Sequence, residues 1–161
     1  MKGERTQYRE RTPWRGLAYV VLWGAIVLAC YPVLSGAEDG VPAGLRGPLV
    51  VGFFGLGVAI VTLVSGLTVL VQETRIVMHL GHVPLVRRTI PFSEIESVES
   101  VTYRPLREFG GWGVRGIGKR KAWTARGNRA VELSLSEGRQ LLIGSDRAQR
   151  LAERIRTLGR L

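Results

Sequence analysis

LAYVVLWGAIVLACYPVL (residues 17–34) and LVVGFFGLGVAIVTLVSGLTVLV (residues 49–71) are long apolar stretches without a single charged side chain. The charge-free intervals around them run from Gly16 to Ala37 and from Gly47 to Gln72. At about 1.5 Å per residue, either stretch crosses a hydrocarbon core of roughly 30 Å as a helix. A helix on the surface of a globular domain carries a polar face along its length, and neither stretch has one. The expectation is a two-helix transmembrane hairpin over residues 17–71, with spans 17–34 and 49–71 joined by an outside loop, 35–48.

Charge sets the orientation. Lys2, Arg5, Arg9, Arg11 and Arg15 precede the first stretch and Arg75, Arg87 and Arg88 follow the second, whereas the connecting segment has Arg46 against Glu38 and Asp39. By the positive-inside rule residues 1–16 form a basic cytoplasmic tail, and both termini of a multi-pass inner-membrane protein face the cytoplasm. Trp14, Tyr19 and Tyr31 stand where interfacial aromatic belts form. A cleaved signal peptide is the other reading of the first stretch, since Ser35-Gly36-Ala37 has the small-x-small pattern. An h-region of about 7 to 15 residues is shorter than this stretch, and a second membrane-length segment follows at once.

Residues 72–161 are enough for one small domain and too few for two. The single cysteine, Cys30, falls inside the first stretch, so the chain has neither a disulfide framework nor a thiolate metal site. Short runs with period-two alternation or β-branched enrichment predict strands at Arg75–Leu80, Val83–Ile90, Ser97–Tyr103, Trp112–Ile117, Lys121–Ala125, Ala130–Leu135 and Gln140–Ile143. Gly81-His82 and Glu137-Gly138 read as tight connections. The period then changes. Ala148, Leu151, Ala152, Ile155 and Leu158 make an apolar stripe opposite Arg147, Arg150, Glu153, Arg154 and Arg156, with Ser145 or Asp146 as N-cap and Gly159 as stop. About seven antiparallel strands closed by a C-terminal amphipathic helix is the layout of a pleckstrin-homology (PH)-like barrel, although other small barrels share it.

The order of apolar hairpin, strand pair, Ile90-Pro91-Phe92-Ser93-Glu94-Ile95-Glu96-Ser97-Val98, further strands, then Leu141-Leu142-Ile143-Gly144-Ser145 before a helix resembles small bacterial two-span membrane proteins with a cytoplasmic PH-like domain. The closer resemblance is to a family marked by a segment such as Tyr103-Arg104-Pro105-Leu106-Arg107-Glu108-Phe109-Gly110-Gly111-Trp112-Gly113-Val114-Arg115. The Gly-Gly-Trp-Gly part is fairly specific and the Ile-Pro-Phe-Ser-Glu-Ile part is loosely shared. The resemblance covers most of the chain and implies a fold and a membrane location, without an activity.

Arg104–Lys121 is the segment that reads as a binding surface. Five glycines permit close approach of a ligand to the backbone, and Arg104, Arg107, Arg115, Lys119, Arg120 and Lys121 supply charge around Trp112. Arg126 and Arg129 extend the patch: Gly113 through Ala130 has six basic residues and no acidic one, within a domain of 17 basic and 9 acidic side chains. Such a flexible loop suits an anionic lipid headgroup or an acidic membrane partner, and tethering beside the negative leaflet adds roughly 1 kcal/mol per nearby basic residue. The competing reading is a long strand connection with Trp112 plugging the barrel and the basic residues solvated, the charge being compositional.

Other chemistry is set aside on local grounds. Gly111-Trp112-Gly113-Val114-Arg115-Gly116 matches G-x-G-x-x-G but lacks the buried strand before it and the apolar helix after it that a dinucleotide site requires, and no P-loop is present. His79 and His82 diverge across a strand and its turn, so no metal or cofactor is expected. Glu94, Glu96 and Glu99 read as a solvated strand face, and an enzyme is not expected. Nucleic-acid binding lacks an accompanying motif and opposes the tether. The expected function is therefore a membrane-anchored interaction module. The alternative is a structural subunit or scaffold, self-associating or in a larger complex, whose small-xxx-small pairs Ala25/Ala29, Gly55/Ala59 and Thr62/Gly66 pack helices within or between hairpins.

Overall fold

The computed structural model describes residues 5–14, 16–35, 42–84 and 86–161. Strand β1 (Thr6–Thr12) precedes helices α1 (Gly16–Ser35) and α2 (Ala43–Val64), and β2 (Leu67–Gln72), β3 (Arg75–Leu80), β4 (Arg87–Pro91) and β5 (Ile95–Thr102) follow. A one-turn helix α3 (Pro105–Phe109), the hairpin β6 (Gly113–Ile117) and β7 (Arg120–Thr124), then β8 (Arg129–Leu135), β9 (Arg139–Gly144) and helix α4 (Ala148–Gly159) complete the chain. The strands form two sheets, ordered β1-β2-β3-β4 and β5-β8-β9-β7-β6. The fold is thus β-rich with a C-terminal helix, and nine strands are described where the sequence predicts about seven.

The two additional strands correct two boundaries. The second apolar stretch does not remain helical to Val71: α2 ends at Val64, and Leu67–Gln72 is a central strand paired on both sides. Leu67, Val69 and Val71 face the core, while on the other face Thr68 is buried and Leu70 half-buried, so apolar residues stand on both faces of the strand. A strand covered on both faces reads as one apolar run, indistinguishable by periodicity from the helix before it. Residues 6–12 are likewise not a free tail; they pair antiparallel with β2, Thr12 opposite Leu67 and Glu10 opposite Val69. Their sequence, Thr-Gln-Tyr-Arg-Glu-Arg-Thr, is polar because β1 is an edge strand, where charge discourages pairing with other chains.

The two apolar helices are therefore inserted between adjacent, hydrogen-bonded strands. At the exit of α2 the chain passes so close to β1 that a Cβ on Gly66, whose φ is +91°, would stand 2.7 Å from the Thr12 carbonyl oxygen and 2.9 Å from Pro13 Cα. Only glycine fits there. Within α1, Tyr19, Trp23, Ile26, Cys30 and Val33 are, with Pro32, the more shielded of the described side chains, and those five fall at alternating spacings of four and three. This is the seam by which antiparallel helices pack. The Trp23 and Phe54 rings lie 4.8 Å apart, and Gly57 receives Ile26 so tightly that a Cβ could not be accommodated without displacing it. Gly57 makes this close approach, while Gly55 of the expected Gly55/Ala59 pair has open space around it and Gly66 lies beyond the helix. Of the two helices, α2 contains a window, Gly44–Val61, long and apolar enough to cross a membrane; the apolar stretch of α1, Tyr19–Val33, is shorter. Ala43–Pro48, expected in the outside loop, is helical. Lys2, Arg15, Glu38, Asp39 and the Gly36-Ala37 part of the small-x-small motif lie outside the described residues.

The seven predicted strands all form, with shifted ends. The second is the shorter Arg87–Pro91, and the tight Gly81-His82 connection becomes a longer loop that closes through Leu80 N–H donating to the Val86 carbonyl at 3.0 Å. Not every pairing is antiparallel: β7 runs parallel to β9, because β8 intervenes in the chain and forms its own hairpin with β9 on the other side. Side chains of both sheets enclose one core that includes Ile76, Met78, Leu133, Leu141 and Ile143. Ala148, Leu151, Ala152 and Ile155 of α4 join it as the stripe predicts, with α4 lying over β5 and β8. The N-cap position of α4 is Arg147 rather than Ser145 or Asp146, and the left-handed stop is Arg160 rather than Gly159. Ser145 still serves the helix start, since its Oγ accepts from Arg147 N–H at 3.0 Å.

Glu10 of β1 locks that helix start from the other end of the sequence. Its carboxylate accepts from Ser145 Oγ at 2.8 Å, Arg147 N–H at 3.2 Å and the Tyr8 hydroxyl at 2.9 Å. A negative group at a helix N-terminus meets the unpaired N–H groups and the positive end of the helix dipole. Burial and, next, the bond to Glu10 push the Tyr8 phenol up to about 12. The N-terminal strand is thereby bound both to the sheet and to α4.

Candidate functional site

The basic segment is ordered, not a flexible loop. Pro105 fits the first helical position of α3, Gly110 closes it with φ +67°, and Glu108 Oε1 accepts from Arg104 N–H at 2.7 Å. The G-x-G-x-x-G residues 111–116 lead into and form β6. A Cβ at Gly116 would meet the Arg120 carbonyl oxygen at 2.7 Å, so this glycine serves strand pairing rather than phosphate approach.

α3 lies on the outer face of the second sheet, away from the main core. Tyr103, Ala122, Ala130 and Leu142 form a separate buried cluster there, with Val101 and Phe109 packed against it. Trp112 does not plug the core: it is half-buried, and its indole N–H donates to the Gly127 carbonyl at 2.9 Å. The tryptophan of the main core is Trp123, 5% exposed, on β7.

Beside α3 is an open cleft of about 460 Å³ lined by Tyr103, Arg104, Arg107 and Trp112 together with Pro105, Leu106, Gly127 and Asn128. Tyr103 is 3% exposed, and its enclosed hydroxyl has the Thr124 hydroxyl as a polar neighbour, which itself donates to the Gly113 carbonyl at 3.4 Å. Burial raises the Tyr103 pKa, so near neutral pH the group is a neutral donor. Arg104 and Arg107 are exposed and make no ion pair among the described residues. Two cations and an indole flank suit an anionic group with an apolar neighbour. Sequence reasoning omitted Tyr103, Gly127 and Asn128; the aromatic ending the predicted strand Ser97–Tyr103 was the available signal.

The other predicted site residues are dispersed. Arg120 spans Glu108 at 3.4 Å and Glu132 at 3.7 Å with its guanidinium 5.1 Å from the Phe109 ring centre, and so holds α3 on the sheet. Arg126 pairs with Asp146, which raises the Arg126 pKa. Lys119 Nζ donates to the Glu137 carbonyl at 2.9 Å and Arg115 Nε to the Trp112 carbonyl at 3.4 Å. Lys121 and Arg129 are exposed, and Arg129 borders a second cleft of about 330 Å³ with Arg126, Ser145 and Asp146. His82 faces Arg11 and Ser65, while His79 is on β3, and the described residues contain no group of three His, Cys, Asp or Glu side chains arranged for a metal. Glu94 pairs with Arg139 at 3.0 Å, and Glu96 and Glu99 are exposed. No protein-family model and no curated protein matches the chain.

Proposed function

We propose that this chain is a membrane-anchored interaction module: a PH-like domain held at the cytoplasmic face of the inner membrane by a two-helix hairpin, whose outer-face cleft receives an anionic group from a lipid headgroup or an acidic partner protein. With the β6–β7 hairpin set aside, the strands reduce to a four-stranded meander, a three-stranded sheet β5-β8-β9 and a C-terminal helix, an order that supports the PH-like reading. Pairing of Thr12 with Leu67 supports the hairpin, because strands that flank two membrane-crossing helices can pair only if both helices return to the same side. The observation that carries the binding reading is the pair Arg104 and Arg107, exposed and outside any ion pair among the described residues, on a cleft flanked by Trp112. The scaffold reading draws support from Arg115, Lys119, Arg120 and Arg126, whose side chains bind the domain itself.

The full chain in nanodiscs of neutral lipid tests the cleft. The Trp112 indole N–H resonance, assigned through Trp112→Phe, is expected to shift on titration with glycerophosphate or an acidic peptide. Arg104→Gln combined with Arg107→Gln should weaken whichever probe binds at least tenfold, a loss of about 1.4 kcal/mol or more. The probe that saturates names the ligand class. A resonance that moves with neither probe, or equally in the double variant, leaves the scaffold as the function.

A further inference from the structure

The β3–β4 loop leaves the first sheet at the same end as both apolar helices. Leu80 ends β3 opposite Leu67, and Leu67 is opposite Thr12, so the loop, the entry to α1 and the exit of α2 share one edge of the domain. The loop is held against that exit: Gly81 N–H donates to the Gly66 carbonyl at 3.0 Å, and His82 lies 3.2 Å from Ser65 Oγ and 2.8 Å from the Arg11 guanidinium. Beyond this pinned base the loop presents apolar rather than polar side chains. Val83 and Val86 are 44% and 47% exposed, Pro84 is exposed between them, and Arg87 follows at the start of β4, also exposed. Connections between strands at a water-facing edge are ordinarily polar.

We infer that this loop is a lipid-contacting element, in which Val83, Pro84 and Val86 enter the headgroup–acyl boundary beside the hairpin and Arg11 and Arg87 meet lipid phosphates. Apolar side chains rimmed by arginines are the composition that settles at that depth. The contact makes the bilayer surface a third attachment of the domain after the two helices, and fixes which edge of the first sheet faces the membrane. The inference rests on the membrane reading of the hairpin and goes beyond it.

Single cysteines at Val83, Val86, Val51 and Glu73 in a Cys30→Ala full chain, labelled with bimane in vesicles containing lipids that carry nitroxides in the headgroup region and along the acyl chain, separate the two. Val51 reports on the exposed face of α2, and Glu73 on the β2–β3 turn at the opposite end of the sheet. Most of the emission should be lost at Val51, Val83 and Val86 and little at Glu73. Quenching at Val51 with emission at Val83 and Val86 as strong as at Glu73 overturns the loop inference and leaves the hairpin intact. Absence of quenching at Val51 overturns both.

Discussion

A chain in which residues 13–66 are replaced by an Asn-Gly turn is expected to be water-soluble and to melt in one cooperative transition, whereas the fragment 72–161 is not expected to fold. Thr12 and Leu67 are cross-strand partners, so a two-residue type I′ turn joins them without altering the register. The fragment lacks β1 and β2. It loses Leu67, Val69 and Val71 from the core, each at most 2% exposed, and with Glu10 the lock on α4. Full burial of each such side chain contributes about 1.5 to 3 kcal/mol, and three of them approach the whole stability of a small domain, about 5–15 kcal/mol. Circular dichroism during heating compares the two chains. Equal melting temperatures would mean that β1 and β2 are not part of the folded unit.

In the joined domain, Leu151→Ala and Ile155→Ala are expected to cost about 2 to 5 kcal/mol each. Both side chains are fully buried in the core shared by the two sheets, where a cavity cannot be filled by collapse of one element alone. Arg154→Ala, on the exposed face of the same helix, should stay within about 0.5 kcal/mol. Denaturant midpoints give the three values. Unchanged midpoints for Leu151→Ala and Ile155→Ala would show that α4 does not close the core.

What was legible in the sequence depended on whether an element has one wet face. β8, with Val131, Leu133 and Leu135 inward and Glu132 and Ser134 outward, and α4, with its stripe, carry their periods openly. β2 does not, because Leu70, on the face opposite Leu67, Val69 and Val71, breaks the alternation and joins the strand to the apolar helix before it. β1 fails oppositely: an edge strand has few buried positions, and Thr6–Thr12 resembles a solvated tail until Glu10 is seen to reach Ser145. The same limit divides the site. Pro105 and Gly110 mark the ends of α3 within the local sequence, but which arginines are engaged depends on partners far away, as Asp146 is from Arg126. Trp123 rather than Trp112 occupies the core because β7 is covered on both faces, Ala122 facing the outer cluster and Trp123 the inner one.

The membrane hairpin, with the domain and both termini on its cytoplasmic side, is the claim on which the functional reading depends. In a Cys30→Ala background, cysteines placed at Ala43 and Ser136 should differ when intact cells are treated with an impermeant thiol reagent. Ala43 stands at the start of α2, at the far end of the hairpin from the sheet, and Ser136 between β8 and β9. Labelling is expected at Ala43 and not at Ser136 until the cells are permeabilised; labelling of Ser136 on intact cells, with Ala43 protected or labelled alike, would overturn this orientation.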